Sequence, residues 1–476
     1  MDRVTLWCSL VVAAAAGLLG SLLAPSPALA QNDAAEDPET VTPPADTGVP
    51  GPYVGYASRP ALANETRACS MRVPVCVHAS GASRGPTVLA VLAAAERAWE
   101  TLGGALRLPL PDVDADDLRY HVYLVEGASE PGVTHVAARD VRSRMDRARA
   151  FSVLDADVHA GCRLDALVTR EMARAIVYRV SPATAEGIAR AQTTYLAQLV
   201  VPCSLGLAAG PAQVFQSQPD RAICDARTGE EGTSADEART DTPFARAFSE
   251  GAASFWSRID WAFGRAPFAI VMASWALSPT MTAVGAPRWH DEPDAFDVLR
   301  VSFKNALSTG STLDDLLLDT AVARAFMGSA DDGLHQVESR TLGDAARVRL
   351  DWDMPWPAKP KRVAPRAPVF PSGSSYLVIH RDGAAREARL RVEITWEEHA
   401  LFRWTFVKLD AKGRELGRVG IPARERATEA QMTLVDLEGV DRILLVGTNV
   451  GDPSYRFDPD EEVWEPHGWL VTLASE

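Results

Sequence analysis

Apolar positions recur every three to four residues through two adjacent stretches near the middle of the chain. Leu164, Leu167, Val168, Met172, Ala175 and Ile176 share one broad face in the first, and Ile188, Ala191, Tyr195, Leu196 and Leu199 share one in the second. That period is helical. Ser181-Pro182 separates the two stretches, so Cys162–Cys203 predicts a pair of helices. Upstream the pattern is mixed. Arg72–His78, His121–Val125 and Ala150–Leu154 are strand-like, and Pro86 opens an apolar-periodic helix that runs to Gly103. Downstream, helices are expected over Pro243–Gly264, with the glycine as terminator, and over Phe268–Leu277. A last helix is expected after Ser311 as cap, with Leu313, Leu317, Ala321 and Phe326 inward.

Beyond residue 350 the period changes. Residues 351–371 are rich in proline and carry no helical repeat, which predicts an interdomain linker. Leu390, Val392, Ile394 and Trp396 then alternate with polar positions, as do Phe402, Trp404 and Phe406, and Asp410–Gly413 turns the chain back. With Met432–Leu437, Arg442–Val446 and Trp469–Leu473, these short strands predict a small antiparallel β-sandwich over 372–476. Trp396 and Trp404 are in phase with the apolar set and expected in its core. Trp464 and Trp469 are left open to a binding role. The expected fold class is therefore α+β: a mixed α/β and helical domain over 66–350, then the sandwich.

The first residues change the compartment. Met1-Asp2-Arg3, an apolar run broken by Gly17 and Gly20, and Ala28-Leu29-Ala30 predict a signal peptide over 1–30, cleaved after Ala30. Residues 31–65 are acidic and proline-rich, as a flexible linker would be. The mature chain is expected to be secreted or periplasmic, with no membrane span. A net charge of −15 argues against nucleic acid as a partner. Export permits disulfides. Cys69 and Cys76 are close enough to close a small loop. Cys162 and Cys203 flank the two mid-chain helices and meet if these run antiparallel, while Cys203–Cys224 is the rival pairing.

Candidate chemistry centres on Arg170-Glu171-Met172-Ala173-Arg174, within the first of the two helices. Zinc peptidases place H-E-x-x-H there, because histidines four apart share a helix face and the glutamate activates the metal-bound water. Further on come Glu186-Gly187-Ile188-Ala189 continuing to Tyr195, and Gly251-Ala252-Ala253-Ser254-Phe255-Trp256. In this order, the region from about residue 70 to 330 resembles gluzincin-like secreted metallopeptidase domains. The resemblance implies a zincin-like fold in which Arg170 and Arg174 replace both metal-binding histidines. Glu171 keeps the place of the general base, and Glu186 matches the third ligand, with Glu250 as competitor.

Arginine stays protonated and offers no lone pair to a cation. No metal or cofactor is therefore expected, and a guanidinium is expected to pair with Glu171 or Glu186 where the ion would sit. Equally open is a surface position for both arginines over a cleft filled by apolar side chains. The function expected is that of an exported, non-catalytic pseudo-metallopeptidase that binds or scaffolds a protein or envelope ligand. The alternative is an active secreted hydrolase with non-standard ligands and Glu171 as general base. No nucleophile elbow, P-loop or dinucleotide fingerprint competes.

Overall fold

Alternation in β2 (Val75–Ser80) sends Val75, Val77 and Ala79 to one face and Cys76 and His78 to the other, and all five are buried. A strand buried on both faces belongs inside a sheet. Here it lies between β1 (Glu65–Cys69) and β3 (Tyr120–Val125) in a five-stranded sheet of order β1-β2-β3-β5-β4, completed by β4 (Gly132–Arg139) and β5 (Ala148–Asp155). β2, β3 and β5 run parallel, and the two edge strands run antiparallel to their neighbours.

The computed structural model describes residues 55–81, 84–140, 146–223, 225, 242–264, 268, 271–272, 289, 294–302, 312–385, 387–422, 427–451 and 465–476. The expected signal peptide, most of the 31–65 linker, Cys224, most of the helix expected over Phe268–Leu277, and Trp464 lie outside these residues.

Helices cover one face of this sheet. α1 (Gly85–Trp99) starts with Pro86 in its first turn and continues into a π-helical turn, Glu100–Ala105. α2 (Cys162–Val180) and α3 (Glu186–Val200) pack together, and α2 lies against β4 and β5. The disulfide Cys162–Cys203 joins the start of α2 to the turn after α3, and Cys69–Cys76 ties β1 to β2. α4 (Ala209–Ser217) precedes the stretch read as a single helix from Pro243, which is two: α5 (Pro243–Gly251) and α6 (Ala253–Phe263), broken at Ala252. Gly264 does end α6, in a left-handed conformation (φ 83°) that a side chain would disfavour. After α7 (Ala295–Val301) comes α8 (Leu313–Ala325). Its cap is Thr312 and not Ser311, because Thr312 Oγ1 accepts from the Asp315 amide while the Asp315 carboxylate accepts from the Thr312 amide.

The proline-rich 351–371 stretch contributes β6 (Trp352–Pro355) and β7 (Lys361–Val363), each an edge strand of a different sheet. Edges are where strands tolerate proline, since one row of amides goes unpaired there. The first sheet has the order β11-β10-β13-β8-β6 and the second β12-β9-β14-β7. Their strands are β8 (Ser374–His380), β9 (Leu390–Trp396), β10 (Phe402–Leu409), β11 (Glu415–Ile421), β12 (Glu429–Leu434), β13 (Arg442–Asn449) and β14 (Trp469–Ser475). All pairings are antiparallel except β6 with β8. Phe402, Trp404, Phe406 and Leu445 from one sheet and Val392, Ile394, Trp396 and Val471 from the other form one apolar cluster. Trp469 belongs to that cluster too, 4% exposed, so it is a core residue and not part of a binding platform.

The opposite face of the β10–β13–β8 sheet is covered by α8 and its C-cap, through Ala321, Val322 and Phe326 against Tyr376, Val407, Leu444 and Val446. Val49–Glu476 accordingly forms one compact unit. The described protein is mixed α/β, with sheets rich in antiparallel pairing.

Candidate functional site

The site is built where α2, α3 and β4 meet. β4 approaches α2 closely because Gly132 has no side chain: a Cβ there would stand 2.9 Å from Leu154 and Leu167 and 3.1 Å from Glu171 Cγ. Thr134, two residues on, donates from Oγ1 toward Glu171, with its carboxylate Oε2 and its carbonyl oxygen both at 2.9 Å. Behind Thr134 a buried hydroxyl chain continues to Ser152 at 2.9 Å and from Ser152 to Tyr120 at 2.6 Å. Glu171 is thus fixed by the sheet on one side.

Arginines fix it on the other. Arg170 Nε lies 3.1 Å from Glu171 Oε1, and Arg170 Nη1 lies 3.2 Å from Glu250 Oε1 at the end of α5. Arg174, one turn on, pairs with Glu186 Oε2 and stands 4.9 Å from the ring of Tyr178. Glu186 also takes Arg190 on its other oxygen, at 2.6 Å. Glu130 pairs with Arg246 at 2.7 Å beside them. Neither Arg170 nor Arg174 points away to bulk solvent; their side chains are 30% and 15% exposed.

Burial pushes the Glu186 carboxyl up, yet Arg174 and Arg190 more than offset it and hold the group below its ordinary range. Glu186 also occupies the first turn of α3, where the helix dipole favours an anion. Burial works to lower the Arg170 and Arg174 pKa values, and Glu171 with Glu250, and Glu186, respectively outweigh it, so both are raised. The arginines named in the sequence are brought together with Glu171, Glu186 and Glu250. Thr134, Glu130 and Arg190 were not expected. Arg190 has a signal, four residues after Glu186 on one helix, whereas β4 alternates only over its first residues and carries no strand signal of its own.

Two cavities meet at Arg170. One, of about 160 Å³, is lined by Glu130, Thr134, Glu171, Arg174, Glu186 and Arg190. The other, of about 920 Å³, runs past Asp155, Asp157, His159 and Leu207 to Thr194 and Ser204. The cleft has therefore not filled with apolar side chains. Its volume is that of a small-ligand or peptide-segment site.

Among the described residues, three metal-ligand types converge elsewhere, at Cys76, Asp117 and His121, whose donor atoms lie within 4.8 Å of one another. That corner is on the opposite face of the sheet from α2. Burial, then Arg59, holds the His121 pKa down at about 4, so the ring is neutral at ordinary pH.

No protein-family model and no curated protein matches the chain. Among solved structures it is similar to the pre-peptidase C-terminal domain of collagenase from Bacillus anthracis, at 7% identity and a TM-score of 0.17, over 27% of this chain and 97% of that one. It is also similar to the VP2 subviral particle of infectious bursal disease virus, at 9% identity and a TM-score of 0.16, over 25% of this chain and 30% of that one. At that level of likeness neither bears on what this chain does.

Proposed function

We propose that this is an exported pseudo-metallopeptidase: a zincin-like region whose metal position is taken by arginine, joined to a β-sandwich, and acting by binding or scaffolding and not by hydrolysis. The observation that carries the reading is the pairing of Arg170 with Glu171 and Glu250 and of Arg174 with Glu186. In a zinc peptidase these carboxylates would serve a cation and its water; here guanidinium groups supply the positive charge. A metal entering would have to displace arginines that cannot give up their protons. The adjoining cavity of about 920 Å³ favours retained binding. The two disulfides suit export, and no helix among the described residues is long and apolar enough to cross a membrane.

One observation favours the rival, an active hydrolase with Glu171 as general base. Thr134 orients the Glu171 carboxylate, as a catalytic base would need. Metal content and peptide hydrolysis separate the two. The disulfide-intact protein, dialysed against zinc, is expected to hold no stoichiometric metal in the cleft and to cleave no peptide pool. Stoichiometric zinc that is lost on Glu171 or Glu186 substitution, or hydrolysis abolished by Glu171→Gln, would overturn the reading.

A further inference from the structure

The sheet face away from α2 holds a second cluster that the cleft does not use. Pairing in register places Cys69 opposite Cys76 and, on the next strand, Cys76 opposite His121. Asp117, just before β3, reaches the same point: its Oδ1 lies 3.1 Å from His121 Nε2. The opposite nitrogen of that ring, Nδ1, lies 2.9 Å from His78 Nε2, and His78 Nδ1 lies 2.5 Å from Glu65. This carboxylate–imidazole–imidazole line fixes the orientation of His121 with Nε2 toward Asp117 and Cys76. Metal-binding histidines are commonly steered by such outer partners.

A cation already sits at this point. Arg67 directs Nε to Cys69 Sγ at 3.1 Å and Nη2 to Cys76 Sγ at 3.1 Å and Asp117 Oδ2 at 2.6 Å. With the sulfurs joined to one another, neither is a thiolate and the set offers a metal only His121 and Asp117. Arg67 is on edge strand β1 and 44% exposed, so its side chain has solvent on one side to turn into when displaced.

We propose that reduction of the Cys69–Cys76 disulfide creates a zinc site with Cys69, Cys76, His121 and Asp117 as ligands. A dithiol or phosphine reductant gives two electrons to the S–S bond and becomes oxidised itself. The bond breaks, each sulfur takes a proton, and zinc then displaces both thiol protons and the Arg67 guanidinium. Two thiolates, an imidazole and a carboxylate form a tetrahedral donor set suited to zinc. The Asp117–His121 separation is near the about 3.3 Å edge that bonds of about 2.0–2.2 Å imply. The disulfide thus gates the site.

The test uses the full chain and zinc alone as probe, oxidised or held reduced by a phosphine, with cobalt substitution to reveal thiolate ligation by its charge-transfer band. The reduced protein is expected to bind one zinc per chain beyond the oxidised protein, and cobalt to show the thiolate band. Cys69→Ser/Cys76→Ser removes that increment although Cys162 and Cys203 can still be reduced. Asp117→Asn, at a partly exposed side chain, weakens binding by at least about tenfold, and Arg67→Gln tightens it. Equal zinc in both redox states, an increment that survives in the double serine variant, or an Asp117→Asn protein with unchanged affinity would each overturn the proposal.

Discussion

Two arginine–carboxylate networks in this protein use the same chemistry to different ends. One lies in the cleft, where Arg170, Arg174 and Arg190 meet Glu171, Glu186 and Glu250. The other lies where α6, α8 and β11 meet. There Arg258 and Arg418 share Asp319, Glu415 takes Arg418 and His335, and His335 also reaches Asp332 at 2.9 Å. His335 stacks on Phe326, centroids 4.0 Å apart, beside the apolar contact of α8 with the sheet. The second network seals a junction between helices and strands. The first opens onto a cavity. Ion pairing alone does not mark a site; the cavity beside the first network is what makes the cleft the candidate.

The contrast can be broken by mutation, and the largest effect is expected at the junction. Burial pushes the Glu415 carboxyl up, but His335 and Arg418 more than offset it and hold it at about 2, against 4.5 for an ordinary glutamate. A carboxyl depressed by folding stabilises the protein above its unfolded pKa, and that stability disappears as pH falls through the folded value. Roughly 3 kcal/mol should therefore be lost between pH 4.5 and 2 at about 1.4 kcal/mol per unit. Glu415→Gln should cost about 2–3 kcal/mol at pH 7, less than a fully stranded buried pair because Asp319 and Asp332 remain. It should also flatten the acid limb of stability measured by urea unfolding; an unchanged limb would mean the junction network is idle.

Glu186→Gln in the cleft should cost less, about 1–2 kcal/mol, since the glutamate is 33% exposed and screened by solvent. It strands Arg174 and weakens the hold on Arg190, so any ligand of the cavity should change affinity, which Glu415→Gln should leave unaltered. Equal effects of both variants on ligand binding would erase the distinction between site and seal. Smallest is Thr134→Val, at about 1 kcal/mol for a buried hydroxyl whose partners keep other bonds. Its informative readout is the order of Glu171, followed by carboxyl-group NMR: a Glu171 signal that does not move would show that Arg170 alone sets its position.

Local periodicity was enough to set several pieces of this fold. The α2 and α3 helices, the alternating strands β9 and β10, and the core positions of Trp396 and Trp404 follow from spacing of apolar residues, which burial enforces one element at a time. The sequence also isolated Arg170, Glu171, Arg174, Glu186 and Glu250 as the residues to watch, although the motif was defined by what it lacks. It missed β1 and β4, because edge strands are paired on one side only and carry weak patterns. β6 and β7 fall in the stretch expected to be linker, because proline hides a strand that needs only half its hydrogen bonds. Which charges meet is set instead by the packing of distant elements. Arg170 reaches Glu250 across eighty residues and Arg418 reaches Asp319 across ninety-nine. Such pairings depend on how helices and sheets stack, because a long side chain is directed by its element's placement and not by its neighbours in sequence. The same holds for the outer sheet face, where three strands in register bring Cys69, Cys76 and His121 together from positions that carry no spacing motif.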